Sequence, residues 1–551
     1  MAITRAKVVK EDLETGHGVV TVGLPGGDQT GNKIGIHTFN SVVNIKDFGA
    51  VGDDSANDTT SVQNALNAGA DSVYVPDGTF QCGAITIPVE VKRLFGPGTL
   101  KQRAAGTDMI SITSSTRLVI EGLTIEGVSG AVTASGNIGI TATSCSYLHI
   151  KGCRFTGWRF NAIQLTATTD SQITENAASS LSNNLVSCQG VQRVIISSNL
   201  VKDTQLAALS TAIQLESTSG HSNGTCRDVV ISNNHISGYP RGQAIMCHTA
   251  ERVTITGNQL SNNLHGVYVS PAGAGGSSDI CDDVTIVGNS IQGNASGGAS
   301  GDGSGGVLAA GGSSSSVKNI TISGNSISKI NYANKHNNQA AIMVHYCVGV
   351  TVTGNAIEDT YGVGIRLQQN CVHVLISDNH IKNILATTDT TEIGIHIPST
   401  GTVSGRITNN VIDGCANGIR CDITSAPDLV AEDNQFFSTT NNYVGTGFVV
   451  EGKGIYTAAD TTPTVAHNIK HLHIANGSSC VITQFDNAQD GQILHLTFAD
   501  TNTTINRTNA YLQSGTNYVS SVYGTLTLVN RGGKWYEVAR VAQGSLTGAN
   551  S

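Results

Sequence analysis

The fold is decided by the stretch Val253-Thr-Ile-Thr-Gly-Asn258-Gln-Leu260, because its pattern recurs along the chain. Apolar and polar residues alternate from Val253 to Thr256. Asn258 then follows a short corner and comes two residues before the next apolar residue, Leu260. Seven further copies occupy residues 194–200, 230–236, 284–291, 320–327, 350–357, 374–381 and 406–412. Weaker copies have Leu123, Cys153, Asn176 and Asn434 at the Asn position. The repeat therefore organises most of the chain.

Successive copies are 23 to 36 residues apart, which is typical of solenoid turns that carry insertions. Alternation with period two predicts a half-buried strand in each copy. We therefore predict an all-β chain that folds as a right-handed, single-stranded parallel β-helix of about 12 coils. The repeated Asn is expected at a tight corner, in the left-handed conformation that Asn tolerates, with a hydrogen bond to the Asn one coil away.

Composition excludes several classes of protein. Charged residues make up 13% of the 551 residues, the net charge is −9 and the 31 Lys and Arg are dispersed, so no nucleic-acid partner is expected. No apolar run is long enough for membrane insertion, and the first residues lack the apolar core of a secretory signal. The 12 Cys lack zinc-type CxxC pairs, which favours buried thiols in a reducing compartment. No cofactor or metal is predicted.

A second strand family precedes the Asn repeat by about eleven residues, as in Ile213-Gln-Leu-Glu216. Its first and third residues are expected to point into the coil, and its second and fourth residues outward. Cys188, Cys247 and Cys421 fall on the inward set. The outward set forms a ladder of Glu216, His248, Tyr268, His345, Arg366, His396, Arg420 and Asp422. Such a ladder suits an extended sugar chain, and the alternative is a solvated face.

Two carboxylates near this ladder suit glycoside hydrolysis, which needs a proton donor and a base or nucleophile about 5 Å or about 6.5–9.5 Å apart. Glu216 is on the ladder and Glu251 is on the next coil, where the backbones are about 4.8 Å apart. We predict both as catalytic, with His248 between them shifting a carboxyl pKa or binding a sugar hydroxyl. The residues predicted to bind substrate are Tyr268, His345, Arg366, His396, Arg420 and Asp422.

Insertion loops offer other acids. Asp279, Asp282 and Asp283 follow a Gly-rich segment, and Asp302 lies within the Gly/Ser-rich residues 293–316. These loops can overhang the groove or reach a neighbouring subunit, which would make the acid pair intersubunit, or they can be solvated and mobile. Calcium binding by the Asp cluster lacks a regular ligand spacing.

Two other functions stay open. Eliminative cleavage needs a base beside a uronate carboxylate and a cation for the enolate, which His345, Arg366, His396 and Arg420 can supply. A spike that adheres to glycan without cleaving it is the third possibility.

The segment Ile45-Lys-Asp-Phe-Gly-Ala-Val-Gly-Asp53-Asp54, with residues 57–66 and 73–80 after it, resembles the opening of pectate-lyase-like β-helix proteins. Pectate lyases, polygalacturonases and bacteriophage tailspike depolymerases share this opening. Asp58 is expected to N-cap a helix near residues 58–69 that covers the open end of the coil through Val62, Ala65 and Leu66. The aspartates that hold calcium in pectate lyases are not recognisable, which speaks against pectate-type cleavage.

Three regions follow from the resemblance. Residues 1–44 resemble a tail-attachment or neck segment, and residues 45–454 are the β-helix. Residues 455–551 resemble the terminal β-sandwich that tailspikes use for trimerisation or glycan contact, with a hairpin signal at residues 530–533.

The resemblance implies a homotrimeric bacteriophage tailspike, attached to the tail or baseplate through its N-terminus. It implies an endo-acting glycosidase that binds and cleaves bacterial capsule or lipopolysaccharide O-antigen. A polysaccharide lyase and a non-catalytic adhesin are the alternatives. Such a protein is made in the host cytoplasm and acts outside the cell on the virion tail.

Overall fold

Three long parallel sheets form the body of the protein. The first sheet has 16 strands, the second 15 and the third 14, and each strand pairs in parallel with the strands one coil before and after it. This is the predicted parallel β-helix, extended by coils at either end of the Asn repeat. The computed structural model describes residues 42–128, 137–202, 210–216, 224–271, 280–293, 305–311, 317–330, 340–386, 392–398, 401–423, 428–445, 449–450, 454–456, 461–463, 465, 470–486, 488–508 and 510–541.

Most strands are three to seven residues long. The first sheet contains Val42–Asn44, Ser72–Tyr74, Arg93–Phe95, Val119–Glu121, His149–Lys151, Thr169–Thr174, Gln192–Ser197, Cys226–Ser232, Ala250–Thr256, Cys281–Val287, Val317–Ser323, Cys347–Thr353, Cys371–Ser377, Val403–Thr408, Leu429–Glu432 and Val449–Val450. The second contains Asp53–Asn57, Thr79–Cys82, Thr99–Gln102, Thr124–Glu126, Arg154–Thr156, Ala177–Ser179, Leu200–Lys202, His235–Ser237, Gln259–Asn263, Ser290–Gly293, Ser326–Ser328, Ala356–Tyr361, His380–Leu385, Val411–Asp413 and Gln435–Phe437. The third contains Ile85–Ile87, Ile110–Thr113, Ile140–Thr143, Ile163–Thr166, Val186–Gln189, Thr211–Glu216, Gln243–Cys247, His265–Val269, Gly305–Ala310, Ala340–His345, Val363–Gln368, Ile393–Ile397, Asn417–Cys421 and Asn441–Val444.

Each copy of the repeat spans two strands and not one. Around Asn258, Ala250–Thr256 belongs to the first sheet and Gln259–Asn263 to the second. The chain turns between them at Gly257, whose φ of 65° is left-handed. The prediction that the Asn itself is left-handed is therefore wrong: the preceding residue takes that conformation. The Asn side chain is instead directed into the buried corner. Equivalent left-handed residues are Glu175, Ser198, Asn233, Gly288, Gly324, Gly354, Asp378, Asn409 and Asp433.

The corner asparagines form a buried ladder along the coil. Asn258 Nδ2 donates to Asn289 Oδ1 at 2.9 Å and to the Ile231 carbonyl at 3.0 Å, and Asn258 Oδ1 accepts from the backbone and side chain of Asn234. The predicted Asn–Asn hydrogen bond is confirmed. It joins ten residues in sequence: Asn176, Asn199, Asn234, Asn258, Asn289, Asn325, Asn355, Asn379, Asn410 and Asn434.

Inward-facing residues of all three sheets form one apolar core along the coil. The predicted buried thiols are confirmed, because all 12 Cys are free and buried. Burial raises the pKa of the Cys153 thiol to about 12, so it behaves as a small apolar side chain.

A helix at Thr59–Leu66 follows a 3₁₀ turn at Ile45–Phe48, and its Val62, Ala65 and Leu66 are buried in the core. Asp58 stands at the N-cap position, but its side chain does not cap the helix as predicted. Its carboxylate instead accepts hydrogen bonds from the backbone N–H groups of Val51 and Gly52 at 2.7 and 3.2 Å. The carboxylate thus holds the preceding loop. Among the described residues no helix is long and apolar enough to cross a bilayer.

The C-terminal part contains two smaller sheets around a separate core that includes Leu494, Leu526 and Trp535. The six-stranded sheet contains Gly454–Tyr456, His471–Ile474, Ile493–Phe498, Ala510–Tyr511, Thr525–Arg531 and Lys534–Val541, and the three-stranded sheet contains Cys480–Ile482, Thr503–Ile505 and Tyr518–Val519. Its last two long strands form an antiparallel hairpin at the predicted turn.

Candidate functional site

A groove lies on the outer face of the third sheet, lined by strands of three coils and by the segments that lead into the two preceding strands. Strand register places Gln214, Met246 and Tyr268 in one row across these coils. The groove has a volume of about 430 Å³. It is lined by Phe160, Asn161, Asn183, Thr211, Gln214, Glu216, Gln243, Met246, His248 and Tyr268. Three predicted site residues, Glu216, His248 and Tyr268, are therefore brought together.

Glu216 ends its strand and its carboxylate accepts hydrogen bonds from three side chains. Ser187 Oγ and Gln189 Nε2, both one coil earlier, lie 3.1 and 3.2 Å from Oε1. Gln214 Nε2 lies 2.7 Å from Oε2. The carboxylate is held in one orientation at the groove, which is the condition for a group that must meet a particular substrate atom.

Aromatic and imidazole rings form one side of the groove. The Tyr268 ring lies edge-on to His248 with centroids 6.2 Å apart, and it stacks on His265 at 5.9 Å. His265 was not predicted from the sequence. It lies three residues before Tyr268, an odd offset, so strict alternation assigns it to the inward set with Val267 and Val269, yet it is only half-buried and pairs in register with Gln243. The period-two pattern therefore gave no signal for it.

Glu251 is not among the residues that line this groove. It lies on Ala250–Thr256 of the first sheet, opposite Arg227 of the preceding coil. Hydrogen bonds from the Arg227 guanidinium hold the pKa of the Glu251 carboxyl below its usual value, against the opposing effect of burial. The structure therefore does not bring the two predicted carboxyls, Glu216 and Glu251, into one groove.

The groove provides a carboxylate, several amides, an imidazole and an aromatic face. Amides and a carboxylate bond hydroxyl groups in both directions, and an aromatic face packs against the apolar face of a sugar ring. Glu216 is the one acid among the described lining residues.

The same outward row continues beyond the groove. Register pairs Tyr268 with Leu308, Leu308 with Met343 and Met343 with Arg366. It then pairs Arg366 with His396 and His396 with Arg420. The groove and the predicted binding residues Arg366, His396 and Arg420 thus lie on one row of side chains, which we call the track. Leu308 and Met343 lie between them. The track from Gln214 to Arg420 spans about 34 Å, at about 4.8 Å per coil.

At the far end of this track, one carboxylate binds two neighbouring side chains. Asp422 Oδ2 lies 2.9 Å from His396 Nε2, and Arg420 Nε donates to Asp422 Oδ1 at 2.8 Å. Burial works to raise the Asp422 pKa, but these two contacts outweigh it and the pKa is lowered.

Two members of this cluster are less accessible than an outward position implies. Arg366 and His396 are each 6% exposed. Burial lowers the pKa of His396, partly offset by Asp422, and it lowers the pKa of Arg366 as well. His345, the remaining predicted binding residue, is half-buried. Its Nε2 lies 2.8 Å from Gln369 Oε1, which orients the ring.

The predicted acidic loop is only partly described. Asp282 and Asp283 lie on Cys281–Val287 of the first sheet, where Asn319 donates to Asp282 Oδ1 at 2.8 Å. Asp279 and Asp302 lie outside the described residues. Within the described ranges, no group of three or more His, Cys, Asp or Glu is arranged to hold a metal ion.

Two family models match parts of the chain. The model described as right handed beta helix region matches residues 108–275. The model described as periplasmic copper-binding protein (NosD) matches residues 199–393. A search of curated proteins finds no match. The first family model agrees with the predicted right-handed coil, so the predicted fold is confirmed.

Solved structures are similar to this chain at low sequence identity. The pre-mature bacteriophage phi29 gene product 12 is 14% identical with a TM-score of 0.53, over 80% of this chain and 62% of that one. The Streptococcus pneumoniae surface adhesin PfbA is 13% identical with a TM-score of 0.41, over 73% and 93%. A Thermotoga maritima exopolygalacturonase is 12% identical with a TM-score of 0.41, over 75% and 92%. The molecule is thus a right-handed β-helix protein with a polar groove on its third sheet.

Proposed function

We propose that this chain is a bacteriophage tailspike that binds bacterial capsule or lipopolysaccharide O-antigen and cleaves it as an endo-acting glycosidase. The groove is the observation that carries the proposal. In it, the Glu216 carboxylate is fixed by three donors beside His248 and Tyr268. The groove opens onto a track that runs to Arg420, and such a track suits a polymer better than a small molecule.

In the proposed reaction, Glu216 is one of the two carboxyls that glycosidases use. A sugar ring packs on Tyr268, while Gln214 and Gln243 bond its hydroxyls. The second carboxyl is an acid outside the described residues, for which Asp279 and Asp302 are candidates, or an acid of a second copy of the chain. Glu251 remains a weaker candidate because Arg227 occupies its carboxylate.

Phage assembly and oligomeric state belong to the same proposal. The opening at residues 45–80 supports a tailspike, and the likeness to a phage gene product supports the fold that such a protein would have. We propose that residues 1–44 attach to the tail or baseplate, that residues 455–551 serve trimerisation or glycan contact, and that the homotrimer acts on the virion outside the cell.

The first experiment incubates the protein with capsular polysaccharide and lipopolysaccharide from a panel of bacterial hosts. Chain length and absorbance in the unsaturated-uronate band are followed together. Shorter chains without new absorbance are expected. Loss of this activity in Glu216→Gln supports the groove, and Asp279→Asn and Asp302→Asn then identify the second acid. No shortening and no binding of any polysaccharide would contradict the proposal.

Elimination is the second candidate, favoured by the two arginines and the histidine that register places side by side on the track. New absorbance together with shorter chains would identify a lyase and move the site to His345, Arg366 and Arg420. Tight binding without shortening would identify an adhesin.

A further inference from the structure

The first sheet carries a feature that the groove does not use. In ten successive coils, one residue adopts a left-handed conformation, and these residues stack in register. We call them the left-handed column: Arg117, Tyr147, Asp170, Arg193, Asp228, Arg252, Asp283, Asn319, Gly349 and His373. Gly, Asn and Asp tolerate this conformation, whereas long or bulky side chains adopt it at a cost in free energy.

Ion pairs explain two of the long side chains in the column. Arg193 donates to both carboxylate oxygens of Asp170 at 2.6 and 2.9 Å, and Arg252 does the same to Asp228 at 2.7 and 2.9 Å. No such contact explains Tyr147. Tyr147 is 58% exposed, and its side chain makes no hydrogen bond or ring contact with any described residue. A strained, exposed aromatic residue in a chain with 5% aromatics indicates a functional constraint.

Tyr147 stands in a concave surface of about 300 Å³. The other lining residues are Arg117, Val119, Leu148, His149, Asp170 and Gln172. The Arg117 guanidinium makes no hydrogen bond or ion pair within the described part of the chain, so it is available to a ligand. Arg193 and Asp170 neutralise each other, and burial lowers the pKa of His149 and favours its neutral form. The surface therefore carries a net positive charge next to an aromatic face and an amide.

We propose that this surface is a second saccharide site and that it takes an acidic sugar unit. The sugar ring packs on Tyr147, Gln172 and the free lone pairs of Asp170 bond its hydroxyls, and Arg117 pairs with its carboxylate. The site rests on the proposed function in one respect, because it assumes that a polysaccharide is the ligand. A second contact on another sheet raises the affinity for a long chain through effective concentration.

Saturation-transfer NMR on the full chain tests the site, with glucuronate as the probe and glucose as the neutral comparison. Glucuronate is expected to give the stronger signal. Tyr147→Asn should reduce that signal at least fivefold and Tyr147→Phe should retain it. Asn suits a left-handed position, as Asn319 does in the same column, so the variant should fold. Tyr523→Asn is the matched control, since Tyr523 is 81% exposed with a φ of 64° and lies outside this pocket.

A wild-type protein without a glucuronate signal, or a signal unchanged by Tyr147→Asn, would overturn the second site. Glu216→Gln separates this failure from failure of the proposed function. The protein could give a glucuronate signal that depends on Tyr147 and persists in Glu216→Gln, and yet shorten no polysaccharide. That result would support the second site and contradict the proposed function. Polysaccharide shortening that requires Glu216, together with glucuronate binding that Tyr147→Asn does not change, would support the groove and overturn the second site.

Discussion

Arg227 holds the Glu251 carboxylate from one coil earlier, with Nε 2.7 Å from Oε2 and Nη2 3.2 Å from Oε1. A carboxylate bound in this two-point geometry is fixed and its proton affinity is lowered, so it is poorly suited to donate a proton. Glu216 is held by uncharged donors and lines the groove. Substitution of Glu216 is therefore expected to affect the reaction much more than substitution of Glu251.

Glu216→Gln is expected to lower the rate of polysaccharide shortening by about 100- to 10,000-fold, the range typical of a lost general acid or base. Gln keeps the size of the side chain, so the groove should still bind substrate. Viscosity loss or oligosaccharide release measures the rate, and pull-down of the polysaccharide measures binding.

Glu251→Gln is the matched control, and its rate is expected within about threefold of wild type. Its stability should fall by about 1 kcal/mol or less, because the ion pair with Arg227 is partly exposed. Equal loss of activity in both variants would show that Glu251 acts in the reaction after all.

The fold could be predicted from the sequence because one repeated residue type fixes the register. Each corner Asn must meet the Asn of the next coil, so insertions of different length still leave the strands aligned. The backbone conformation of the corner could not be predicted from the pattern. Gly257 and Asn258 read as one motif, and only the backbone shows that the first is left-handed and the second points inward.

The site was predicted less well. Period two identified the outward positions of the third sheet, but chemistry alone favoured the charged and ring residues there, whereas Gln214 and Met246 also line the groove. Glu251 was misleading because it follows His248 by three residues, and the chain changes sheet within those three. The spacing of 24 between Arg227 and Glu251 equals that between Asn234 and Asn258, which was a usable sign of their pairing.

Asn258→Ala is expected to destabilise the protein by about 3 kcal/mol. The substitution removes the acceptor of the buried Asn234 backbone N–H and of one Asn234 side-chain N–H, while Asn289 Oδ1 keeps the backbone N–H of residue 258. Each unsatisfied buried group costs about 1–3 kcal/mol. Thermal and denaturant unfolding measure the loss. Gln259→Ala, at the exposed neighbouring position, is the control and should change the free energy of unfolding by less than about 0.5 kcal/mol.

Gly288 tests the finding that the residue before the ladder Asn is left-handed. Its φ is 64°, and a Cβ there would meet open space, so only backbone strain opposes a side chain. Gly288→Asn is expected to leave stability unchanged, since Asn233 and Asn409 occupy the equivalent corner. Gly288→Val should cost about 1–2 kcal/mol. Equal melting temperatures for the two variants would contradict a left-handed corner.

His396 should make stability depend on pH between about 7.5 and 5.5. Burial lowers its folded-state pKa below the unfolded value of about 6.5, so the unfolded chain takes up the proton first as the pH falls. The stability due to the neutral ring is thus present above about pH 6.5 and lost below it. Asp422 has a lowered pKa, so its contribution is lost only below about pH 3.9, outside this window.

His396→Gln removes the titrating group and should make the fall in melting temperature between pH 7.5 and 5.5 smaller than in wild type, even if the variant is less stable at both values. His235→Gln, at an exposed position of a central strand of the second sheet, is the matched control and should keep the wild-type pH dependence. The measured quantity is the change in melting temperature between the two pH values. A loss of stability that is equal at both pH values therefore does not affect it. An unchanged pH dependence in His396→Gln would contradict the prediction, because it would mean that the His396 pKa does not differ between the folded and the unfolded chain.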